Sequence, residues 1–150
     1  MAAHTLKQVL TIAGSDSGGG AGIQADLKSM SANGVFAMSV ITAVTAQNTE
    51  DVTDVFELPT SIIASQLDAV FDDFDVSAVK TGMLSSTAIV ELVAKMLTIQ
   101  NVTNLVVDPV MISKSGRALL QPDAIDALKK MLFPLALVVT PNIHEAQQLS

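Results

Sequence analysis

The sequence predicts an α/β fold of three layers, in which helices cover both faces of a mainly parallel sheet. Apolar runs of strand length alternate along the chain with stretches of helical periodicity. Several of these runs are apolar throughout, which is typical of strands that are buried on both faces. At 150 residues, the chain is long enough for one domain with a substantial core.

Strands are predicted where apolar or β-branched residues occur without a helical period. Residues 9–13 are mostly apolar, and residues 37–45 are rich in the β-branched side chains that favour strands. In residues 52–56, Val and Phe alternate with polar residues, which indicates a short, half-buried strand. The remaining predicted strands are residues 76–80, 105–108 and 135–140.

Helices are predicted between these strands from apolar spacing and end signals. Residues 61–72 place Ile, Leu, Val and Phe at helical intervals. Ser85 or Ser86 is a suitable N-cap for a helix at 87–97, and Pro122 suits the first turn of a helix at 123–132. The first helix is predicted at residues 23–32, and a last helix is predicted to begin near Pro141.

Composition excludes several function classes. The net charge of −7 argues against nucleic acid as a partner, because its phosphates would be repelled. No run of about 18 apolar residues indicates a membrane span, and the first residues lack the pattern of a signal peptide. With no cysteine, disulfide and thiolate chemistry are excluded. A cytoplasmic location is expected.

The glycine-rich turn between the first strand and the first helix is the most informative segment. Residues 14–26 read GSDSGGGAGIQAD, with five glycines in the first nine positions. Such a turn lets a ligand approach the backbone closely. We expect its free N–H groups and the positive end of the helix dipole to face a small polar ligand.

Two nucleotide-binding motifs can be compared with this turn. Gly20, Gly22 and Ala25 fit the G-x-G-x-x-A dinucleotide fingerprint, but the acid expected at the end of the second strand is replaced by Gln47 and Asn48. A Walker loop is excluded because no Gly-Lys-Ser/Thr follows the glycines. A flexible turn without a ligand is the remaining alternative.

Polar or glycine residues follow each of the five main strands. In parallel sheets, ligand sites lie beyond the carboxyl ends of the strands. Any one such group is explained by a solvated turn or a helix cap, whereas five together favour a site. The five exits are residues 14–16, 47–48, 80–83, 108–111 and 140–142.

Five segments carry a family resemblance: GSDSGGGAGIQADLK, SVITAVTAQNT, VKTGML, VVDPVMISKSG and VVTPNIHEA. In this order they resemble the hydroxymethylpyrimidine/phosphomethylpyrimidine kinases of thiamine biosynthesis, members of the ribokinase-like superfamily beside pyridoxal kinase. The resemblance implies a ribokinase-like fold and transfer of the γ-phosphate of ATP to the hydroxymethyl group of an aminopyrimidine. A second transfer to the monophosphate follows. A homodimer is expected for the complete protein.

The acceptor site can be predicted from the chemistry of an aminopyrimidine. Its ring nitrogen accepts a hydrogen bond beside an amine that donates one, and the amide of Gln47 matches that pair. Asp26 is suited to take the remaining amine proton, and the resemblance implies the same two positions. The resemblance also implies apolar walls at Met83 and Val110 and a close backbone approach at Gly14. Asp26 as a first-turn helix acid, Gln47 bonded only to backbone and Met83 as core are the alternatives.

The phosphate site is predicted around carboxylates, because Mg2+ prefers one or two of them together with phosphate oxygens and water. Asp108 and Glu145 are the candidate metal ligands. Asn142 and Glu145 resemble the N-x-x-E motif of ribokinase-like enzymes, which organises magnesium and ATP phosphates. Lys114 is a candidate phosphate contact. A capping box of Asn142 with Glu145 and an exposed loop at Lys114 are the alternatives.

The last predicted helix reaches Ser150 without an end signal. The resemblance therefore implies that residues 1–150 are the amino-terminal part of a single domain, incomplete at its C-terminus. The catalytic base is expected beyond Ser150, and no turnover is expected from this part alone. The function hypotheses are a pyrimidine kinase, a pyridoxal or dual-specificity kinase, and a nucleotide-binding oxidoreductase domain.

Overall fold

The computed structural model describes residues 6–113, 116 and 118–150, and it confirms the predicted α/β class. The strands are β1 (Gln8–Asp16), β2 (Phe36–Gln47), β3 (Val52–Glu57), β4 (Val76–Thr81), β5 (Leu105–Val107) and β6 (Val138–Val139). The α-helices are α1 (Gly22–Ala32), α2 (Thr60–Asp73), α3 (Thr87–Ile99), α4 (Pro122–Ala127) and α5 (Ile143–Leu149).

Within the described residues, six strands form one sheet in the order β3-β2-β1-β4-β5-β6. Every pair is parallel except β2 with β3, which is antiparallel. After β1 the chain first adds strands on one side and then returns to add β4 on the other. The strand order therefore reverses at β1, and the crevice at its carboxyl end is the place where such sheets bind ligands.

Alternating side chains give the two faces of the sheet different characters. Leu10 and Ile12 of β1 are fully buried in the main apolar core, together with Val79 of β4. Thr11 lies between them in sequence and pairs in register with Lys80, so both point to the opposite face. Helix α1 packs on β1 and β2 over that second face.

The core is aliphatic and lies between the sheet and helices α2, α3 and α4. Its fully buried members from the helices include Ile63 and Leu67 of α2 and Ile89 and Val90 of α3. Aromatic rings are scarce, as the composition requires, so branched aliphatic side chains fill this volume. This layer fixes the sheet and leaves the α1 face for polar groups.

The fourth predicted helix and the last strand differ from expectation around Pro134. α4 ends at Ala127, a π-helical turn follows over Leu128–Leu132, and a 3₁₀ turn covers Phe133–Leu135. Pro134 has no N–H with which to continue a helical ladder. The predicted strand at 135–140 therefore begins too early, and only Val138–Val139 pair as a strand.

The predicted cap of α3 is wrong in its chemistry. Ser86 occupies the N-cap position but makes no side-chain cap. Its Oγ donates instead to Glu57 Oε1 at 3.0 Å, and Ser85 Oγ donates to Glu57 Oε2 at 2.5 Å. The carboxylate of β3 thus holds the start of α3, an arrangement between residues distant in sequence.

Across residues 6–113, 116 and 118–150, no helix has both the length and the apolar character that crossing a membrane requires.

Helix α1 and strand β1 approach most closely at Gly22. A Cβ added to Gly22 would lie 2.2 Å from the backbone oxygen of Gly14, and the φ of Gly22 is +54°. Only glycine fits, because a side chain would both collide with backbone and adopt a left-handed conformation. This contact sets how near α1 lies to the end of β1.

We expect Gly22→Ala to destabilise the protein by roughly 2–4 kcal/mol, because backbone strain and overlap add. Chemical denaturation measures the change. Gly34→Ala is the matched control: its φ is also positive, at +77°, but nothing lies within 4 Å of the added Cβ. It should cost only about 1–2 kcal/mol. Equal losses in the two variants would contradict the close-approach argument.

Candidate functional site

A cavity of about 500 Å³ opens at the carboxyl edge of the sheet, where the strand order reverses. Its walls come from the ends of β1, β2, β4 and β5, which confirms that four of the five predicted exits converge. The fifth exit, at 140–142, does not line this cavity. The predicted residues that line it are Gly14, Asp26, Gln47, Met83, Asp108 and Val110.

The glycine-rich turn is organised by Asp16, a residue that the sequence analysis did not single out. Its Oδ1 accepts from the N–H of Gly18 at 2.7 Å, and its Oδ2 accepts from Gly20 at 2.9 Å and Ala21 at 2.8 Å. The expectation that these N–H groups are free for a ligand is therefore wrong. The carboxylate of Asp16 accepts from these N–H groups itself, in the segment before α1 begins.

A second side chain closes the turn from the helix side. Gln24 Oε1 accepts from the N–H of Asp16 at 2.8 Å, and its Nε2 donates to Ser15 Oγ at 2.8 Å. The signal for Asp16 was present in the sequence, since Asp before glycines is typical of a turn in which the side chain binds the following N–H groups. Gln24 carried no comparable local signal.

Gln47 lies at the end of β2, as predicted, and lines the cavity. Its backbone N–H and oxygen bond with the hydroxyl of Ser17 at 2.8 and 2.7 Å. Its side-chain Oε1 accepts from Thr45 Oγ1 at 3.1 Å. The hydroxyl of Ser17 in the turn thus holds the backbone of Gln47. The side-chain amide lines the cavity, and Thr45 uses one acceptor position of its oxygen.

Asp26 lies in α1 and is held from the sheet below. Thr11 Oγ1 donates to its Oδ2 at 2.6 Å, and Lys80 Nζ lies 3.1 Å from Oδ1 and 3.0 Å from Oδ2. Thr11 and Lys80 were not predicted as site residues, although residue 80 was recognised as a strand exit. Their pairing with Asp26 depends on the packing of α1 and has no local signal.

Asp108 follows β5 and contacts the same ammonium. Its Oδ2 is 3.5 Å from Lys80 Nζ. Burial raises the pKa of Asp108 above its ordinary value, and the charges of Glu145 and Asp26 add to this, while Lys80 opposes it. The site therefore gathers more negative charge than its lysine balances.

The apolar wall is formed by Met83 and Val110, and Gly14 lies against it. Met83 is buried, and its backbone oxygen accepts from Thr42 Oγ1 at 2.8 Å. A Cβ on Gly14 would lie 3.1 Å from Met83 Cε, so glycine keeps the methionine in place.

Asn142 and Glu145 form the capping box that was the alternative interpretation. Asn142 Oδ1 accepts from the N–H of Glu145 at 3.0 Å, and Glu145 Oε2 accepts from the N–H of Asn142 at 2.9 Å. Glu145 is buried and close enough to Asp108 to influence its pKa. Lys114 lies outside the described residues. Within those residues, no group of three or more His, Asp or Glu side chains could hold a metal.

The family model described as phosphomethylpyrimidine kinase matches residues 16–150. Among curated proteins, the hydroxymethylpyrimidine/phosphomethylpyrimidine kinase of Haemophilus influenzae is 56% identical over 145 residues, covering 97% of this chain and 54% of that protein. The chain spans about half the length of this relative and of the corresponding kinase of Rhizobium meliloti.

Solved structures are similar in fold and sequence. The crystal structure of phosphomethylpyrimidine kinase from Clostridium difficile has a TM-score of 0.89 and 56% identity, covering 96% of this chain and 62% of that one. The pyridoxal kinase of Staphylococcus aureus in complex with AMP-PCP and pyridoxal has a TM-score of 0.85 and 39% identity, covering 97% and 51%.

We expect Asp16→Asn to destabilise the protein by roughly 2–3 kcal/mol, because the amide nitrogen would face N–H donors and hydrogen bonds to a charged acceptor would be lost. Denaturant unfolding measures the loss, and hydrogen exchange at Gly20 and Ala21 locates it. Asp54→Asn is the control, since the exposed Asp54 accepts from the adjacent N–H of Val55. Unchanged exchange in the turn would argue against the role of Asp16.

Asp108→Asn should raise the stability near neutral pH. A carboxyl group whose pKa rises on folding stabilises the fold when protonated, and this contribution disappears as pH increases through the raised pKa. The gain from Asn should therefore shrink as pH falls below that value. Thermal unfolding across pH tests this, with the exposed Asp68→Asn as control. A gain that is independent of pH would contradict the assignment.

Proposed function

The chain belongs to the phosphomethylpyrimidine kinase family, and from this premise we propose that the protein transfers the γ-phosphoryl group of ATP to hydroxymethylpyrimidine and then to its monophosphate. The observation that carries the proposal is the cavity at the end of β1. It places an amide, a carboxylate and an apolar wall around one space at Gln47, Asp26 and Met83. These groups match the donor, acceptor and ring face of an aminopyrimidine.

In this proposal, Gln47 reads the pyrimidine edge. Its Nε2 donates to the ring nitrogen, and its Oε1 accepts from the exocyclic amine beside the bond from Thr45. Asp26 accepts the second amine hydrogen. Met83 and Val110 contact the ring, and Gly14 leaves room for it. The hydroxymethyl group then points along the sheet edge towards Asp108.

Asp108 and Glu145 are the proposed carboxylates for Mg2+. Two carboxylates that repel each other in a partly buried space fit a divalent cation, and Mg2+ takes its remaining ligands from water and phosphate oxygens. The ion, when bound, would neutralise charge on the phosphates of ATP. Glu145 uses one oxygen for the cap of α5, and Asn142 orients it. A phosphate contact by Lys114 stays a prediction.

The reaction joins the hydroxymethyl oxygen to the γ-phosphorus and breaks the bond to the bridging oxygen, releasing ADP. Positioning and charge neutralisation account for most catalysis of this kind. The family requires a base for the hydroxyl proton, and its predicted location beyond Ser150 stays a prediction. So do the homodimer, the cytoplasmic location and the lack of turnover by residues 1–150 alone.

A pyridoxal or dual-specificity kinase is the second candidate. Its support is the likeness to the Staphylococcus aureus pyridoxal kinase, whose structure holds AMP-PCP and pyridoxal. The hypothesis of a dinucleotide-binding oxidoreductase has no such support. Asp16 occupies the N–H groups of Gly20 and Ala21 that a pyrophosphate would need.

Gln47→Leu should lower kcat/KM for hydroxymethylpyrimidine roughly tenfold or more, because the polar edge of the substrate loses its partner. Steady-state kinetics of the full-length protein with ATP measure it. Gln100→Leu is the matched control, since Gln100 is exposed beyond the C-terminal end of α3, at the opposite edge of the sheet. An unchanged kcat/KM for Gln47→Leu would remove Gln47 from the site. Phosphorylation of pyridoxal in preference to the pyrimidine would favour the second candidate.

A further inference from the structure

Lys80 contacts the two carboxylates that the proposed function assigns to different ligands, Asp26 to the pyrimidine and Asp108 to Mg2+. Its Nζ lies 3.0 and 3.1 Å from the oxygens of Asp26 and 3.5 Å from Asp108 Oδ2. The side chains of Lys80 and Asp26 are only 20% and 17% exposed. At such low exposure an ion pair is ordered and weakly screened, unlike one at the surface.

The fold prepares the space for this ammonium. Lys80 and Thr11 are register partners on β4 and β1 and face α1 together. A Cβ on Gly82 would lie 2.9 Å from Lys80 Nζ and 3.0 Å from the Cβ of Ala13. Glycine at this position therefore leaves room for the lysine head, which turns back towards α1. The space left at Gly82 thus allows Lys80 to reach Asp26 inside the cavity.

The contacts leave Asp26 a narrow capacity for a ligand. Oδ2 accepts from both Thr11 and Lys80, while Oδ1 shares only Lys80. A carboxylate has about four acceptor sites, so the remaining capacity is concentrated on Oδ1. An anion held in this way accepts an N–H and repels an oxygen acceptor. It cannot adapt by rotation, because both of its oxygens are restrained.

Gln47 alone cannot distinguish a ring that carries an amine from a ring that carries an oxygen. An amide can turn by half a rotation and present either its donor or its acceptor to a ring edge. Among the described residues that line the cavity, Lys80 is the one with a cationic side chain. Asp26 and Asp108 are its ion-pair partners there. Nothing else in that lining can fix Asp26 from below by charge.

We propose that Lys80, with Thr11, is a specificity-determining positioning residue: it fixes Asp26 as an oriented acceptor, so that the site selects rings carrying an exocyclic amine over rings carrying an oxygen there. This inference rests on the proposed function and deepens it by assigning the residues that make the site select an amine. Lys80 acts through Asp26 and does not touch the ring. The ammonium also forms an ion pair with Asp108 at 3.5 Å.

The test compares two ligands by calorimetry on the full-length protein: hydroxymethylpyrimidine and the analogue in which a ring carbonyl replaces the amine. We expect the wild type to bind the amine at least roughly tenfold more tightly, a difference of about 1.4 kcal/mol. Lys80→Met should remove most of this preference by weakening amine binding. Lys80→Arg should retain part of it, because the guanidinium keeps the charge.

Thr11→Val provides an independent variant, since it removes the bond to Asp26 without changing charge and decides the matter if Lys80→Met does not fold. Lys130→Met is the control: Lys130 pairs with Asp126 at 3.4 Å on the exposed surface, and its loss should leave the preference intact. A purely structural role of Lys80 or Thr11 would weaken the binding of both ligands equally. Thermal unfolding of each variant measures any accompanying loss of stability.

The outcomes separate this inference from the proposed function. A preference that survives in both Lys80→Met and Thr11→Val, or an equal loss for both ligands, overturns the inference while the kinase proposal stands. A wild type that binds neither ligand overturns the proposed function and this inference with it. A selective loss of amine binding in both variants, with unfolding temperatures near that of the wild type, supports the inference.

Discussion

The Asp16 carboxylate is the interaction on which the site depends. It binds three N–H groups of the glycine-rich turn, and Gln24 from α1 binds its backbone in return. With Gly22 packed on the backbone of Gly14, these contacts allow one direction for α1. Asp26 is one helical turn further on, so its position above the sheet follows from the conformation of the turn. A glycine-rich segment gains order here because its donors are satisfied internally.

The alternation of side chains along each strand then gives the sheet two different faces. One face packs in the aliphatic core, and the other carries polar residues of the site. Leu10 and Ile12 enter the aliphatic core beneath α2 and α3, while Thr11 between them meets Asp26. Because side chains alternate, one strand stabilises the fold and orients a functional group at the same time. A shift of one residue in register would bury the threonine and the lysine among aliphatic side chains.

Charge is concentrated in the site at a cost to the fold. Asp108 is partly buried near Glu145 and Asp26, and its raised pKa shows that Lys80 does not fully compensate its desolvation. Carboxylates whose pKa is raised by burial and by neighbouring acids are common in functional sites. The same arrangement explains why Asp108 and Lys80 are best understood together with Asp26, and not as separate contacts.

The sequence was sufficient to predict the order of elements, the mainly parallel sheet and the sheet edge that carries the cavity, because these follow from local periodicity and from rules for strand ends. It also identified Gln47, Met83 and Asp108 as neighbours of one cavity. Its predictions were wrong for the boundaries of the fourth helix and the last strand around Pro134. The expectation of free N–H groups in the glycine-rich turn was also wrong. Three further features emerge from the packing of the whole chain: Asp16 fills that turn, Glu57 holds the start of α3, and Thr11 and Lys80 lie under Asp26. These contacts join residues up to 54 positions apart, and they form because helices dock on strands, so no local pattern specifies them.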